Sequence, residues 1–555
     1  MPRCLRDSLL FACVLVAVLP AWAQSAKRDP GNGGMYRVAG VVVNAATGEP
    51  VARASVAVLE ESNSETVENT MTDSQGRFAL EQLPAAKYQL TASRRGYHLA
   101  FYDEHDDYNC AIVTGPGQDT EHLTLRLPPN AILHGQVSGD GGDPVADARV
   151  MLFKVPPGVG RDFVRARGPE NSIEQVGSAT TDDLGDYEFG DLEAGDYLLA
   201  VMADPWYAVH NPARPAGADA ANSPDNPLDV AYPVTYFDST TDELSATPIS
   251  LASGDRQEAD ISLHAVPALR LTVAAPQKQN GNIARAELRQ SIFGAQVMAV
   301  SQGFMDALKT GTTDFIGIAP GHYELLQGDP PRLVDMDATA SGSVDATAGT
   351  PTVTVSGFLR SVDGSALGGD VSVVLYPMDA AQRTGTQQAP AVRGEFSFEN
   401  VPPGKWEIAA WNHGTPMPVV SLSSGSITHA GAEFTVADRP VAISVNVAPG
   451  SIRVTGFARK NGRGAAGVLV VLVPKNPAAY DSLVRRDESD SDGSFALRNV
   501  APGEYSLIAL ENAWDLDRAG LPMLARYLPQ GISVTVRSNA GTLIQLPAAV
   551  PAQER

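Results

Sequence analysis

The stretch that decides the fold is Val500-Ala501-Pro502-Gly503-Glu504-Tyr505-Ser506-Leu507, in which a Pro-Gly pair separates an apolar residue from an alternating run. Proline and glycine favour a tight turn, and the alternation after them is typical of a strand with one buried face. Residues 83–90, 192–199, 318–325 and 401–408 carry the same phrase with changes. Because a turn leading into a strand recurs in this way, the sequence predicts a repeat protein made of β-strands.

Each copy of this phrase carries one aromatic residue at the same position, and we interpret these residues as core or corner residues. They are Tyr88, Tyr197, Tyr323, Trp406 and Tyr505. An earlier aromatic precedes four of them by ten residues, as Phe78 precedes Tyr88, and a glycine such as Gly76 lies two residues before it. That glycine supplies the positive φ of a tight turn. In the third copy Phe315 lies eight residues before Tyr323 and Thr313 replaces the glycine.

A third phrase predicts an opening strand with a central glycine, at residues 38–42, 133–137, 355–359 and 454–458. The glycine precedes the first aromatic by 38 or 39 residues in three modules, but by 52 residues in the second. We therefore expect a long insertion at residues 156–171 of the second module. The third module lacks the phrase and is interpreted as degenerate.

These repeats predict five β-sandwich modules of about 100 residues each. Short strands spaced by turns, without a helical period, indicate an all-β chain of immunoglobulin-like sandwiches. Pro-rich joints such as residues 127–129 favour a semi-rigid string of modules. The predicted divisions are a linker at 24–35, modules at 36–128, 129–266, 267–348, 349–447 and 448–548, and a tail at 549–555.

The motifs together resemble the carboxypeptidase regulatory-like domains, which belong with transthyretin-like and Cna-B-like sandwiches of seven strands. The first module shows the set with Gly40 in the opening strand, residues 48–50 at the next turn, Thr72-Asp73 before the glycine turn, and Leu83 before Tyr88. The resemblance covers nearly all of the mature chain except the third module, and it implies a string of seven-stranded transthyretin-like or immunoglobulin-like sandwiches of bacterial type. It implies little about activity, because a fold does not determine function. A likeness of the fold to starch-binding domains suggests carbohydrate binding.

Residues 1–23 have the pattern of a secretory signal peptide. Arg3 and Arg6 precede an apolar run at residues 9–19 that is too short to span a bilayer comfortably. Small residues at the end of the segment predict cleavage before Gln24, with an uncleaved N-terminal anchor as the alternative. We expect the mature chain in the periplasm, on the cell surface or outside the cell, without a transmembrane segment.

The cysteine count and the net charge restrict the disulfides and the binding partners that we expect. Cys4 and Cys13 leave with the signal peptide, so Cys110 remains alone and no disulfide within the chain is expected. We interpret Cys110 as a half-buried structural thiol, with a crosslink between two chains as the alternative. The net charge is −23, and such an acidic surface repels nucleic acid and anionic lipid.

The sequence carries no complete motif for catalysis or metal binding. The nine histidines lack the His-Glu-x-x-His spacing of a zinc peptidase, and no Gly-x-Ser-x-Gly elbow occurs. His105 lies in the acidic stretch 103–107, for which a solvated loop is the favoured interpretation. Residues 488–493 partly resemble a calcium loop, but they coincide with the glycine turn of the other modules, so a turn is favoured. We predict no catalytic residue, no metal ion and no cofactor.

Six aromatic residues outside the repeat phrases are candidate ligand-binding residues. Three of them lie nine residues beyond a repeat aromatic, where the chain leaves that strand. Exposed aromatic rings stack on sugar rings, so these residues are candidates for a glycan platform, but the favoured interpretation is that they cover the open end of each sandwich and pack one module against the next. The candidates are Tyr97, Trp206 and Trp514, with Tyr102, Tyr207 and Tyr527 further along the chain.

The predicted function is therefore non-enzymatic. We expect an exported repeat protein that binds carbohydrate or protein at the cell envelope, where several weak sites on one chain favour avidity. A purely structural spacer or assembly subunit without a small ligand is the second hypothesis. An enzyme with an unrecognised site between modules is the third.

Overall fold

Short alternating segments, separated by turns rich in glycine, proline and aspartate, form the strands of the protein. In the described residues, helical structure is confined to single turns. These are α1 (Tyr480–Leu483), α2 (Leu521–Leu524) and the 3-10 turns Glu243–Ser245, Ala346–Ala348, Trp514–Leu516 and Leu528–Gln530. The computed structural model describes residues 35–61, 65–105, 108–156, 173–210, 226–274, 286–298, 311–328, 331–378, 385–413, 415–425, 427–448, 452–477, 480–516, 520–537 and 543–555. The predicted signal peptide and most of the predicted insertion lie outside these residues.

Strands β1–β8 form the first sandwich. They are β1 (Tyr36–Asn44), β2 (Ser55–Glu60), β3 (Thr66–Met71), β4 (Arg77–Leu83), β5 (Lys87–Ser93), β6 (Ala100–Phe101), β7 (Ile112–Val113) and β8 (Leu123–Leu127). One sheet has the order β4-β1-β8 and the other β3-β2-β5-β6, with β7 also paired to β5. Side chains such as Val38, Val56 and Leu125 fill the space between the sheets and are fully buried.

Strands β9–β19 form the second sandwich. They are β9 (Ala131–Ser138), β10 (Arg149–Val155), β11 (Glu174–Thr180), β12 (Asp186–Leu192), β13 (Gly195–Met202), β14 (Val230–Ala231), β15 (Thr235–Tyr236), β16 (Ile249–Leu251), β17 (Arg256–Glu258), β18 (Ile261–Ser262) and β19 (Val266–Pro267). The sheets have the orders β11-β10-β13-β15 and β12-β9-β17, and β14 pairs with β19. Strands β10 and β13 are buried on both faces, because a second apolar cluster covers the outside of their sheet.

Strands β20–β27 form the third sandwich. They are β20 (Leu269–Ala274), β21 (Glu287–Ile292), β22 (Ala295–Met298), β23 (Thr312–Ile318), β24 (Gly321–Gly328), β25 (Pro331–Ala338), β26 (Gly342–Val344) and β27 (Thr350–Pro351). The sheets have the orders β23-β20-β26 and β22-β21-β24-β25-β27. Strand β20 takes the place of the opening strand although it lacks the central glycine.

Strands β28–β37 form the fourth sandwich. They are β28 (Val353–Ser361), β29 (Val371–Pro377), β30 (Gln387–Ala391), β31 (Glu395–Val401), β32 (Gly404–Asn412), β33 (Thr415–Met417), β34 (Val419–Ser424), β35 (Ile427–Ala430), β36 (Glu433–Val436) and β37 (Val441–Val447). The sheets have the orders β31-β28-β37-β34-β35 and β30-β29-β32-β33, with β36 also paired to β32. The central Gly357 of β28 is required because an added Cβ would collide with the ring of Phe396.

Strands β38–β46 form the fifth sandwich. They are β38 (Arg453–Lys460), β39 (Arg463–Gly464), β40 (Leu469–Pro474), β41 (Arg485–Glu488), β42 (Ser494–Leu497), β43 (Gly503–Glu511), β44 (Ile532–Val536), β45 (Leu543–Gln545) and β46 (Val550–Glu554). Residues 549–555 were predicted as a tail, but they contain β46, which pairs with both β38 and β43. Val550 is 1% exposed, so this last strand belongs to the core.

One pairing plan recurs in the sandwiches. The opening strand runs antiparallel to the strand that carries the earlier aromatic, and parallel to a strand near the end of the same sandwich. In the first sandwich β1 pairs in this way with β4 and β8, and in the fourth β28 pairs with β31 and β37. Strands β9, β20 and β38 follow the same plan.

The repeat aromatics are core and corner residues, as predicted. Each is at most 3% exposed, and its polar tip donates a hydrogen bond to the carbonyl four residues earlier. The donor–acceptor distances are 3.1 Å for Tyr88, 2.9 Å for Tyr197, 2.8 Å for Tyr323, 3.1 Å for Trp406 and 2.7 Å for Tyr505. The phrase therefore specifies a buried aromatic that ties its strand to the preceding turn.

Consecutive sandwiches also contact one another. Phe293, at the turn between β21 and β22, packs against Phe153 and Tyr236 of the second sandwich at ring distances of 5.2 and 5.1 Å. Val362 and Val420 of the fourth sandwich pack on the core of the fifth. The prediction of an all-β chain of tandem sandwiches is confirmed, and these joints involve packed side chains as well as prolines.

Candidate functional site

Trp206 is the most exposed large apolar side chain among the described residues, with 88% of its surface accessible. It lies in the turn after β13, where the amide of Ala208 donates to the carbonyl of Pro205 at 2.9 Å. The ring of Tyr207 meets the indole edge to face, with the ring centroids 5.7 Å apart. The indole is thus presented to solvent on a turn of defined geometry.

Neighbouring residues extend this surface. Val209 and Leu228 are 50% and 43% exposed, and the amide of Val209 donates to the carbonyl of Leu228 at 2.7 Å. Trp206, Tyr207, Val209 and Leu228 are called the Trp206 patch below. Burial raises the pKa of Tyr232 to about 12, and a hydrogen bond with Tyr207 contributes to the rise. Tyr207 therefore connects the patch to the body of the second sandwich.

Three other predicted ligand-binding aromatics lie against the sandwich cores. Tyr97 and Tyr102 are half-buried on the core of the first sandwich, and the hydroxyl of Tyr97 accepts from Asn44 at 3.4 Å. Tyr527 is 6% exposed in an apolar cluster of the fifth sandwich. A ring packed on a core in this way has little free face for a sugar. Because these three rings lie on the cores of two different sandwiches, the six candidates do not form one platform.

The sixth candidate, Trp514, lies in a contact between the first and fifth sandwiches. The ring of His105 stacks on its indole with the centroids 4.4 Å apart and an angle of 8° between the planes. The indole nitrogen donates to the carbonyl of Gly467 at 3.3 Å. His105 was predicted in a solvated acidic loop; instead its ring bridges two sandwiches.

Polar contacts surround this stacked pair. Nζ of Lys87 lies 2.5 Å from Oδ2 of Asp490, and Oδ1 of Asp490 accepts from the amide of Ala111 at 3.1 Å. The amide of Ser491 donates to the carbonyl of Ala111 at 3.0 Å, and its hydroxyl accepts from the amide of Val113 at 2.8 Å. Backbone groups of Ala111 and Val113 thus pair directly with the glycine turn of the fifth sandwich.

That turn has the predicted geometry. The amide of Gly493 donates to the carbonyl of Asp490 at 2.7 Å, and the φ of Gly493 is +82°. Both carboxylate oxygens of Asp490 are occupied by groups of the first sandwich. The interpretation of residues 488–493 as a turn is confirmed, and the turn also serves as a docking surface.

A second ion pair and a buried acid complete the contact. Nη2 of Arg498 lies 2.9 Å from Oε1 of Glu61. Nδ1 of His105 lies 3.2 Å from Oε1 of Glu488, whose side chain is fully buried. Burial raises the pKa of Glu488 to about 7, although the hydrogen bond with His105 opposes the rise. The same hydrogen bond raises the pKa of His105.

Cys110 lies within this contact. It is 1% exposed, more buried than predicted, and forms no disulfide. Burial raises the pKa of its thiol, and the nearby carboxylates of Asp490 and Glu488 act in the same direction. A crosslink through this thiol would require the two sandwiches to separate.

The contact between the first and fifth sandwiches is called the clasp below. It comprises Glu61, Lys87, Asp103, His105, Cys110, Ala111 and Val113 with Gly467, Asp487, Glu488, Asp490, Ser491, Arg498 and Trp514. Sequence reasoning missed it because its halves are about 400 residues apart in the chain, as in the Lys87–Asp490 pair. The one available signal was the acidic character of residues 103–107 and 488–492.

Two further properties of the described residues bear on function. They contain no group of three or more histidine, cysteine, aspartate or glutamate side chains placed to hold a metal ion. Among them, no helix reaches the length and apolarity that a membrane crossing requires.

Two segments of the chain match known domain families, one in each of the two sandwiches that form the clasp. Residues 37–127 match the carboxypeptidase regulatory-like domain, which confirms the resemblance for the first sandwich. Residues 450–524 match the second beta sandwich domain of the BOS complex subunit NOMO1-like family. No curated protein matches the sequence at a significant level.

The solved structures that the chain is similar to include a pilin and repeat units of a collagen binding protein. The Bacillus anthracis TIE protein is 12% identical, with 76% of each chain covered and a TM-score of 0.17. The minor pilin GBS52 of Streptococcus agalactiae is 14% identical over 42% of this chain and 97% of its own, with a TM-score of 0.20. Two B repeat units of the Staphylococcus aureus collagen binding protein are 10% identical over 74% of this chain and 100% of their own, with a TM-score of 0.13.

Proposed function

We propose that this chain is an exported, non-enzymatic β-sandwich repeat protein that binds a glycan at the cell envelope through the Trp206 patch. The observation that carries the proposal is the exposure of Trp206, 88%, on a turn that is ordered by Tyr207. Burying an indole on a sugar ring removes apolar surface from water, and an aromatic that is already fixed loses little conformational freedom on binding. The signal-peptide pattern of residues 1–23 supports export.

The chemistry around the patch favours a neutral or cationic glycan. The protein carries a net charge of −23, and Asp204 and Asp229 flank the patch in sequence. A polyanionic glycan would be repelled by this field at low ionic strength. Val209 and Leu228 provide apolar surface on which the C–H face of a second sugar unit would fit.

A structural spacer remains the second candidate function, because a specific observation favours it. The second and third sandwiches share an apolar cluster around Phe293, and the fourth packs on the fifth. Joints of this kind hold modules in fixed orientations, as a spacer requires. A spacer needs no ligand, so the two functions differ in their response to sugar.

The test is co-sedimentation of the chain from Gln24 onward with insoluble polysaccharides and cell-wall sacculi. Trp206→Ala is the test variant, and Leu184→Ala is the control, because Leu184 is a 62% exposed apolar residue of the same sandwich. We expect saturable binding that Trp206→Ala weakens about tenfold or more and Leu184→Ala leaves unchanged, since truncating an aromatic anchor typically costs about 2 kcal/mol or more and about 1.4 kcal/mol is tenfold in affinity. Absence of binding to every polysaccharide and sacculus would overturn the glycan proposal and favour the spacer.

A further inference from the structure

The clasp joins the two ends of the described chain. A string of sandwiches in which only neighbours touch would keep the first and the last apart. Here the amides of Ala111 and Val113 in the first sandwich donate to the glycine turn of the fifth, and the carbonyl of Ala111 accepts from it. We propose that the clasp is a pH-sensitive closure, which holds the chain in a closed form in mildly acidic solution and opens as the pH rises above neutrality.

The contacts that close the clasp are polar and therefore reversible. Two ion pairs, Lys87–Asp490 and Arg498–Glu61, join the same two sandwiches as the stacked rings of His105 and Trp514. Backbone hydrogen bonds at Ala111 and Val113 add direction to the contact. Such groups exchange their partners for water at modest cost, whereas a large apolar interface would not.

The charges that face one another across the clasp are mostly negative. The first sandwich contributes Glu61 directly after β2, Lys87 from β5, and Asp103 and His105 from the loop after β6. The fifth contributes Asp487 and Glu488 from β41, Asp490 and Asp492 from the turn and Arg498 after β42. The closed form therefore gathers more carboxylates than cations, and its stability depends on how many are protonated.

Glu488 is the group whose ionisation determines whether the clasp is closed or open. Its side chain is fully buried and has His105 as its hydrogen-bond partner from the other sandwich. When His105 is protonated and Glu488 is ionised, the two side chains carry opposite charges and the pair is neutral overall. When that proton leaves, a buried carboxylate lies beside neutral imidazole, with Asp103 and Asp490 adding repulsion.

The direction of the effect follows from proton binding. In the closed form the pKa of Glu488 is raised from 4.5 to about 7 by burial, and the pKa of His105 is raised above 6.5 by Glu488. Burial also raises the pKa of Asp490 against the opposing effect of Lys87, and burial raises that of Asp487 to about 7. The proposal requires that opening expose Glu488, His105 and Asp490 to water, so that their pKa values return toward ordinary values. Asp487 accepts from the amide of Ala496 within its own sandwich and is not counted in this change. The closed form thus binds more protons, and its stability is lost as the pH rises through these values toward and past 7.

Cys110 offers a direct measure of opening. In the chain from Gln24 onward it is the only cysteine, and in the clasp it is 1% exposed. The experiment measures its labelling rate by a thiol reagent from about pH 5.5 to about pH 8.5, divided by the rate for the unfolded chain at the same pH. We expect this ratio to rise at least about tenfold over the range, since one unit of pKa shift corresponds to a tenfold change. A ratio that stays flat would overturn the proposal.

Two histidine variants separate the clasp from general effects of pH. His105→Ala removes both the stack on Trp514 and the partner of Glu488, so we expect rapid labelling of Cys110 at every pH. His122→Ala is the matched control, because His122 lies in the same sandwich, contacts Asp119 and is 84% exposed at its side chain. It should label like the parent protein. If His105→Ala labels as slowly as the parent at every pH, the clasp does not hold the chain closed.

A charge exchange tests the contact without relying on His105. Arg498→Glu places two acids together and should increase labelling of Cys110, whereas the double variant Arg498→Glu with Glu61→Arg should restore slow labelling. Circular dichroism melts of each variant show whether the sandwiches themselves remain folded. Small-angle scattering should report a larger radius of gyration wherever labelling is fast. Equal labelling in the single and double variants would contradict the closed form.

Discussion

Trp206 and Trp514 occupy the same place in two repeats, nine residues beyond Tyr197 and Tyr505, yet their surroundings differ completely. Trp206 is 88% exposed on its turn, whereas Trp514 is half-buried under the ring of His105. The scaffold that precedes them is shared, because both repeat tyrosines make the same corner hydrogen bond. The repeat therefore fixes the position of the aromatic residue after its strand, whereas packing against another sandwich determines whether its side chain is exposed to solvent.

The largest expected effect concerns a tryptophan that is neither exposed nor shared between sandwiches. Trp406 is fully buried and donates to the carbonyl of Pro402, so Trp406→Ala should destabilise the fourth sandwich by about 3–5 kcal/mol. Trp206→Ala should change stability by less than about 0.5 kcal/mol. Urea unfolding, followed by hydrogen exchange in β32, distinguishes the two; similar losses for both variants would mean that Trp206 is part of a core.

The next prediction concerns glycan binding, in which Trp206 and Trp514 should behave differently. Trp206→Ala should weaken glycan binding about tenfold or more, whereas Trp514→Ala should leave it unchanged, because the indole of Trp514 is covered by His105. Titration with the soluble form of any polysaccharide that sediments the protein, monitored by tryptophan fluorescence, measures both. Weakening by Trp514→Ala without weakening by Trp206→Ala would place the ligand at the clasp instead.

A smaller effect is expected when the clasp loses its stack. Trp514→Ala should raise the labelling rate of Cys110 about two- to tenfold at mildly acidic pH, since an aromatic stack contributes roughly 0.5–1.5 kcal/mol. Trp206→Ala serves as the control and should leave labelling unchanged. Slow labelling in both variants would show that the ion pairs alone keep the clasp closed.

The smallest effect tests what the two repeats share. Tyr197→Phe and Tyr505→Phe each remove one buried corner hydrogen bond and should each cost about 1 kcal/mol. Thermal melts of the two variants should therefore show similar, small decreases in Tm. A much larger loss for one of them would mean that the two corners differ in more than their loops.

Local features of the sandwiches could be predicted from the sequence, because each depends on a few adjacent residues. The buried aromatic, the glycine turn and the opening strand all follow from period-two alternation and from turn chemistry at positions such as Gly493 and Tyr505. The role of residues 549–555 was missed because a short segment interrupted by Pro551 lacks a strand pattern, and only pairing with β38 and β43 makes it a strand.

The candidate site could be predicted only in part. Sequence spacing identified Trp206 and Trp514 together, but exposure depends on which surface packs over each ring, and spacing contains no such information. The clasp requires the relative orientation of sandwiches that are distant in the chain, and that orientation is the sum of several joints. His105 and Glu488 therefore looked like members of two unrelated acidic loops.

The parallel pairing of the opening strand with a strand near the end of each sandwich has a consequence for how the protein forms. When β1 emerges from a ribosome or a translocation pore, its partner β8 is still about 80 residues behind it. No sandwich can close its first sheet until nearly all of its own sequence has emerged, so folding should proceed in steps of one sandwich. Among the described sandwiches the fifth is completed by β46, so the clasp should close only after that strand has emerged.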